Sequence, residues 1–139
     1  MKTSSLHEFW SAPDNTRLTS KQYSFRLPVH VAAKIAALCD MYPQKTRTQI
    51  VADLLTTALH ELEVSMPDGL GERVEDQYQA EIAEQIGEEG EVLYYLGGTR
   101  GRFRNLANQH YWDMEKEMGT ENPDKLFTSM VLTESQVKK

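Results

Sequence analysis

Six consecutive residues, Gln22-Tyr23-Ser24-Phe25-Arg26-Leu27, alternate polar and apolar without a break. In an extended chain successive side chains point to opposite faces, so Tyr23, Phe25 and Leu27 share one side and Gln22, Ser24 and Arg26 the other. Pro28 closes the run, because proline cannot donate to a β-ladder. No second strand lies nearby in sequence. A lone strand with a bare hydrogen-bonding edge is not stable in water, so the segment must pair elsewhere. The simplest partner is its own copy in a second chain.

Two helices are predicted to follow. Val31, Ile35, Leu38, Cys39 and Tyr42 form a one-faced stripe, with Pro28 suited to its first turn and Pro43 stopping it at about Tyr42. A polar turn, Pro43-Gln44-Lys45, leads into Thr46-Arg47-Thr48-Gln49. A threonine followed three residues later by glutamine is a capping-box pattern, each side chain reaching a free backbone N–H of the other residue. Ile50, Leu54, Leu55, Ala58, Leu59 and Leu62 then continue a helical stripe. Strand, helix and helix in this order, with the strand unpaired, imply an intertwined homodimer. Its expected core holds Tyr23, Phe25, Leu27, Ile35, Leu38, Ile50 and Leu54.

Charge decides what the outer face meets. The chain carries a net charge of −6, which argues against nucleic acid only if the charge is evenly spread. Residues 17–48 hold six basic residues against Asp40 alone, whereas residues 61–96 hold eleven acids against Arg73 alone. The local field, not the total, sets phosphate attraction. A two-stranded ribbon fits the major groove of B-DNA, where arginine can bond guanine O6 and N7, glutamine adenine N6 and N7, and serine either base. Gln22, Ser24 and Arg26 are therefore the expected base contacts. The uncapped N–H groups that open the second helix form a phosphate seat, so Lys21, Lys45, Thr46, Arg47 and Thr48 are the expected phosphate contacts.

Residues 20–63 thus resemble the ribbon-helix-helix proteins, the Arc-, MetJ- and CopG-type repressors and related antitoxins. The likeness rests on Gln22-Tyr23-Ser24-Phe25-Arg26-Leu27-Pro28, the helix after it, and Thr46-Arg47-Thr48-Gln49. It covers under a third of the chain, and the turn Pro43-Gln44-Lys45 stands where many relatives carry a glycine. The resemblance implies a mostly α, intertwined homodimer whose outward strand positions read bases while the start of the second helix clamps a phosphate. Double-stranded DNA and a second copy of the chain are the implied partners.

The rest of the chain reads as additions. Residues 1–19 form an arm, residues 20–65 the ribbon and helices, and residues 66–71 (Met-Pro-Asp-Gly-Leu-Gly) a linker rich in turn formers. Residues 72–139 are expected to be mainly helical. Val74, Tyr78, Ile82 and Ile86 mark a helix over about 72–86; Val92–Leu96 is a buried strand or helical turn; Gly97–Gly101 is a loop. Phe103, Leu106, Ala107, His110, Tyr111, Met114 and Met118 form another stripe, with His110 among core groups, and a last short helix holds Leu126, Phe127, Met130 and Val131. Arg100, Arg102 and Arg104 are a candidate auxiliary basic patch, or a face that pairs the acidic helix. The acidic region also suits a protein partner, so an interaction adaptor or antitoxin is the alternative to a transcriptional repressor. No nucleophile elbow, phosphate loop or metal-type spacing occurs, so neither an enzyme nor a cofactor or metal is expected. One cysteine, no apolar run of membrane-spanning length and no secretory pattern point to a cytoplasmic protein.

Overall fold

Two prolines bracket the first helix. In the computed structural model, which describes residues 17–75 and 92–137, α1 runs Val29–Met41 with Pro28 at its N-cap. Tyr42 leaves helical geometry at φ −125 and ψ 68, and its N–H still bonds the Leu38 carbonyl at 3.0 Å. A residue before proline is pushed out of the α region, so Pro43 sets the stop. The second helix, α2, runs Arg47–Ser65.

The chain divides into two units, one ending at Val64 and the other starting at Ser65. In the first unit the buried core is small. It comprises Tyr42 and Ile50, with Leu38, Cys39 and Leu54 packed against them, so it lies at the turn between the helices. The stripe foreseen for α1 is the side it turns inward: Val31, Ile35, Leu38 and Cys39 are half-buried while their neighbours are exposed. The stripe foreseen for α2 divides. Ile50 is buried with Asp53 and Thr57, whereas Leu55, Leu59 and Leu62 are each about half exposed (51, 50 and 53%). Thr57 donates its hydroxyl to the Asp53 carbonyl at 3.0 Å, which satisfies the polar group of a buried side chain.

The second unit is a three-stranded antiparallel sheet with a long helix. Strand β1 (Gly69–Arg73) pairs β2 (Tyr94–Gly97), which pairs β3 (Val131–Leu132), in the order β1-β2-β3. The ladder is irregular between Leu70 and Arg73. Helix α3 (Gly98–Glu117) starts directly from β2, and a short 3₁₀ turn, Glu134–Gln136, follows β3. Val74 and Leu93 form the core, with Tyr95 and Val131 against them.

Several expectations for residues 66–139 are corrected here. The supposed linker 66–71 supplies β1 from Gly69 onward, and its glycines allow close backbone approach rather than a free turn. A Cβ on Gly98, whose φ is +68, would stand 2.7 Å from the Gly69 nitrogen. Gly97–Gly101 is no loop: β2 ends at Gly97 and α3 begins at Gly98. A side chain at Gly101 would meet the Leu96 carbonyl oxygen at 2.5 Å, so glycine is what lets the helix turn so tightly off the strand. Glu72 and Arg73 belong to β1, not to a helix, because Arg73 is in register with Tyr94; the remainder of the helix foreseen over 72–86 lies outside the described residues from Asp76 on, as does the arm up to Thr16. Of the apolar run 92–96, Tyr94, Tyr95 and Leu96 lie in strand β2. Leu126–Val131 is not helical, since Val131 pairs Tyr95 in the sheet. His110 is exposed on α3 rather than in a core. The C-terminal region is accordingly mixed α and β.

Candidate nucleic-acid interface

Residues 22–27 form no strand within the single chain. Lys21–Leu27 takes no helical structure either, and every residue of it is exposed. The rings of Tyr23 and Phe25 stack at 6.2 Å between centroids and 8° between planes, so side chains two apart lie on one side. Side chains two apart also share a side in an extended strand. Phe25 is 72% exposed, an unusual position for a large aromatic group, and Leu27 is about half exposed. Gln22, Ser24 and Arg26 occupy the intervening positions.

The second element is the start of α2. Thr46 and Gln49 close the foreseen capping box. The Thr46 N–H donates to Gln49 Oε1 at 2.8 Å, and the Gln49 N–H donates to Thr46 Oγ1 at 3.1 Å. The Ile50 N–H reaches the Thr46 carbonyl at 3.1 Å. This leaves the N–H groups of Arg47 and Thr48 as the unbonded donors at the helix end, among the described residues. Two adjacent amides at the positive end of a helix dipole, with an exposed arginine on one of them, make a local anion seat.

Thr46→Ala is expected to cost about 1 kcal/mol of stability, the usual worth of a threonine N-cap. Gln49→Ala should cost less, and the pair should be non-additive because each removes the same reciprocal contact. Thermal or urea unfolding of the two single variants and the double variant measures this.

Not every expected contact is at the surface. Lys45 is buried at 8% exposure and its N–H bonds the Tyr42 carbonyl at 3.0 Å. It belongs to the turn, and its burial removes it from the exposed group formed by Thr46, Arg47 and Thr48. The three arginines of α3 also separate. Arg100 pairs with Asp68 at 3.4 Å, both side chains mostly buried, and its N–H bonds the Pro67 carbonyl at 3.1 Å. Arg100 thus fastens the start of α3 to the residues before β1. The Arg104 guanidinium lies over the Phe127 ring at 4.7 Å. Arg102 is exposed. Arg100 therefore drops out of any common basic patch.

Sequence reasoning missed the contact that shapes this side of the second unit. Asn108 on α3 grips the backbone of Phe127 twice: its Nδ2 donates to the Phe127 carbonyl at 3.0 Å, and its Oδ1 accepts from the Phe127 N–H at 2.7 Å. No local pattern announces a bond across that separation. Among the described residues no group of three or more His, Cys, Asp or Glu side chains gathers to hold a metal ion, and no helix is long and apolar enough to cross a membrane. No family model, no curated protein and no solved structure matches the chain.

Proposed function

We propose that the chain is a ribbon-helix-helix homodimer that binds DNA in a sequence-specific way and regulates transcription, acting as a repressor by occupying its site. The observation that carries this reading is the exposed segment Lys21–Leu27, in which Tyr23 and Phe25 stack on one side and Gln22, Ser24 and Arg26 occupy the alternate positions. A segment of this kind gains its hydrogen bonds and covers its aromatic side when it pairs with a second copy. The size of the core supports the same conclusion. A unit of this length has little surface to bury on its own, and here the buried apolar core is Tyr42 and Ile50, while Tyr23, Phe25, Leu55, Leu59 and Leu62 are exposed. In the paired state the ribbon reads base edges in the major groove, and Arg47 and Thr48 hold a phosphate that fixes register.

The test is selection of bound duplexes from a random pool by the full-length protein at moderate salt. An enriched site with two-fold symmetry is expected, because the symmetry of a dimer is mirrored in its operator. Absence of enrichment overturns the reading. In that case the eleven acids of residues 61–96 favour an adaptor, with a basic protein recovered in stoichiometric amount on residues 66–139, which keep β1 whole.

A further inference from the structure

A cavity of about 780 Å³ opens in the second unit, between α3, the end of β2 and the segment that leads into β3. Its volume lies within the range of small-molecule sites. The far wall is fixed in place by the double hydrogen bond from Asn108 to Phe127. The lining has two kinds of surface. Arg102, Arg104 and Lys125 bring positive charge, against Glu72 as the one acid among the described lining residues, in a chain whose net charge is −6. Arg104 is committed to the Phe127 ring. The side chains of Arg102 and Lys125 have no hydrogen-bond or ion-pair partner among the described residues. Thr128, Ser129 and Asn105 add hydroxyl and amide donors at the same cavity. The apolar part is formed by Leu106 and Met130, which are 46% and 37% exposed, so hydrophobic surface is left uncovered beside the two cations.

We infer that this cavity binds a small phosphate-bearing molecule of nucleotide size, with its phosphate on Arg102 and Lys125 and its apolar body over Leu106 and Met130. A phosphate group suits the donor set. It offers several acceptor oxygens to two cations and the neighbouring hydroxyls at once, and charge-assisted bonds of this type are the strong ones. The remaining volume and the exposed Leu106 and Met130 call for more than an inorganic ion. The inference does not depend on DNA binding, since its site lies wholly within residues 71–130.

Titration calorimetry of the full-length protein with adenosine monophosphate, inorganic phosphate and adenosine tests it. Saturable binding of adenosine monophosphate is expected, with phosphate alone and adenosine alone each at least about tenfold weaker, because each lacks one half of the contact. Arg102→Ala and Lys125→Ala should each weaken adenosine monophosphate by about tenfold or more. Both positions are exposed, so unchanged unfolding midpoints separate lost binding from lost folding. Leu106→Ser should weaken adenosine monophosphate while leaving inorganic phosphate as it was. The inference fails if adenosine monophosphate gives no saturable heat, if phosphate alone binds as tightly, or if the Arg102→Ala/Lys125→Ala double variant binds as the parent does. It fails equally if these substitutions weaken duplex DNA uniformly while no nucleotide binds; the cations then serve a duplex.

Discussion

Arg26→Ala is expected to weaken binding to the selected DNA site by between about 30-fold and about 10⁴-fold. A bidentate arginine–guanine pair discriminates by ~1–3 kcal/mol. A symmetric dimer presents the residue twice, so the loss is ~2–6 kcal/mol, and each 1.4 kcal/mol is tenfold. The fold should not notice. Arg26 is exposed and outside both helices, and surface changes of that kind stay within about 0.5 kcal/mol. The diagnostic outcome is a difference: affinity for the selected site should collapse toward that for a scrambled duplex, which itself changes little. Arg47→Ala provides the contrast. In the proposed complex it removes a phosphate contact from each half-site, so it should weaken all duplexes alike. The slope of log K against log salt should fall by about 1.8 per dimer, at ~0.9 for each phosphate released. Retardation assays at several salt concentrations measure both. An Arg26→Ala protein that holds the selected site like the parent would show that the ribbon's polar side does not meet the bases.

What the sequence reveals about this molecule follows the range of the interactions concerned. The capping box was legible because Thr46 and Gln49 are three residues apart and their two bonds are local. The limits of α1 were legible because prolines act on their immediate neighbours. The side-by-side placement of Tyr23 and Phe25 follows from period two alone. The sheet was not legible. Gly69-Leu70-Gly71 has the composition of a turn, yet Gly69 lies opposite Gly97 and Leu70 opposite Leu96, and the glycines are needed because two backbones approach closely there. A residue's own neighbourhood carries no trace of that partner. Charge counting failed for a related reason. Lys45 and Arg100 count as charges like any other in the sequence, but one is buried at its turn and the other is paired with Asp68, 32 residues away. The cavity owes its wall to Asn108 and Phe127, another long-range pair, so only the structure discloses it.

Leu59→Asp is expected to turn the proposed dimer into a monomer and to abolish retention of the selected DNA. Leu55, Leu59 and Leu62 are spaced by four and three, so they share one side of α2, and each keeps about half its surface in contact with solvent. Helix α1 does not cover them; its packing partners on α2 are Ile50 and Leu54, at the turn. Full burial of a leucine is worth ~1.5–3 kcal/mol. Covering the exposed halves of six leucines in a dimer therefore supplies roughly 5–9 kcal/mol. Association itself costs ~4–15 kcal/mol. In the proposed dimer the leucine side therefore offsets a large part of the association cost, and the paired ribbon adds to it. An aspartate at the middle of the stripe removes apolar area and sets a charge from each chain into the covered surface, where an unpaired charge costs several kcal/mol. Leu59→Met, which conserves volume and apolarity, should leave the dimer intact. Sedimentation equilibrium resolves the assembly state of the parent and both variants, and circular dichroism checks that helix is retained. If Leu59→Asp sediments as a dimer and still holds its site, the leucine side of α2 faces solvent in the working molecule. The ribbon must then be held together by some other surface of this chain.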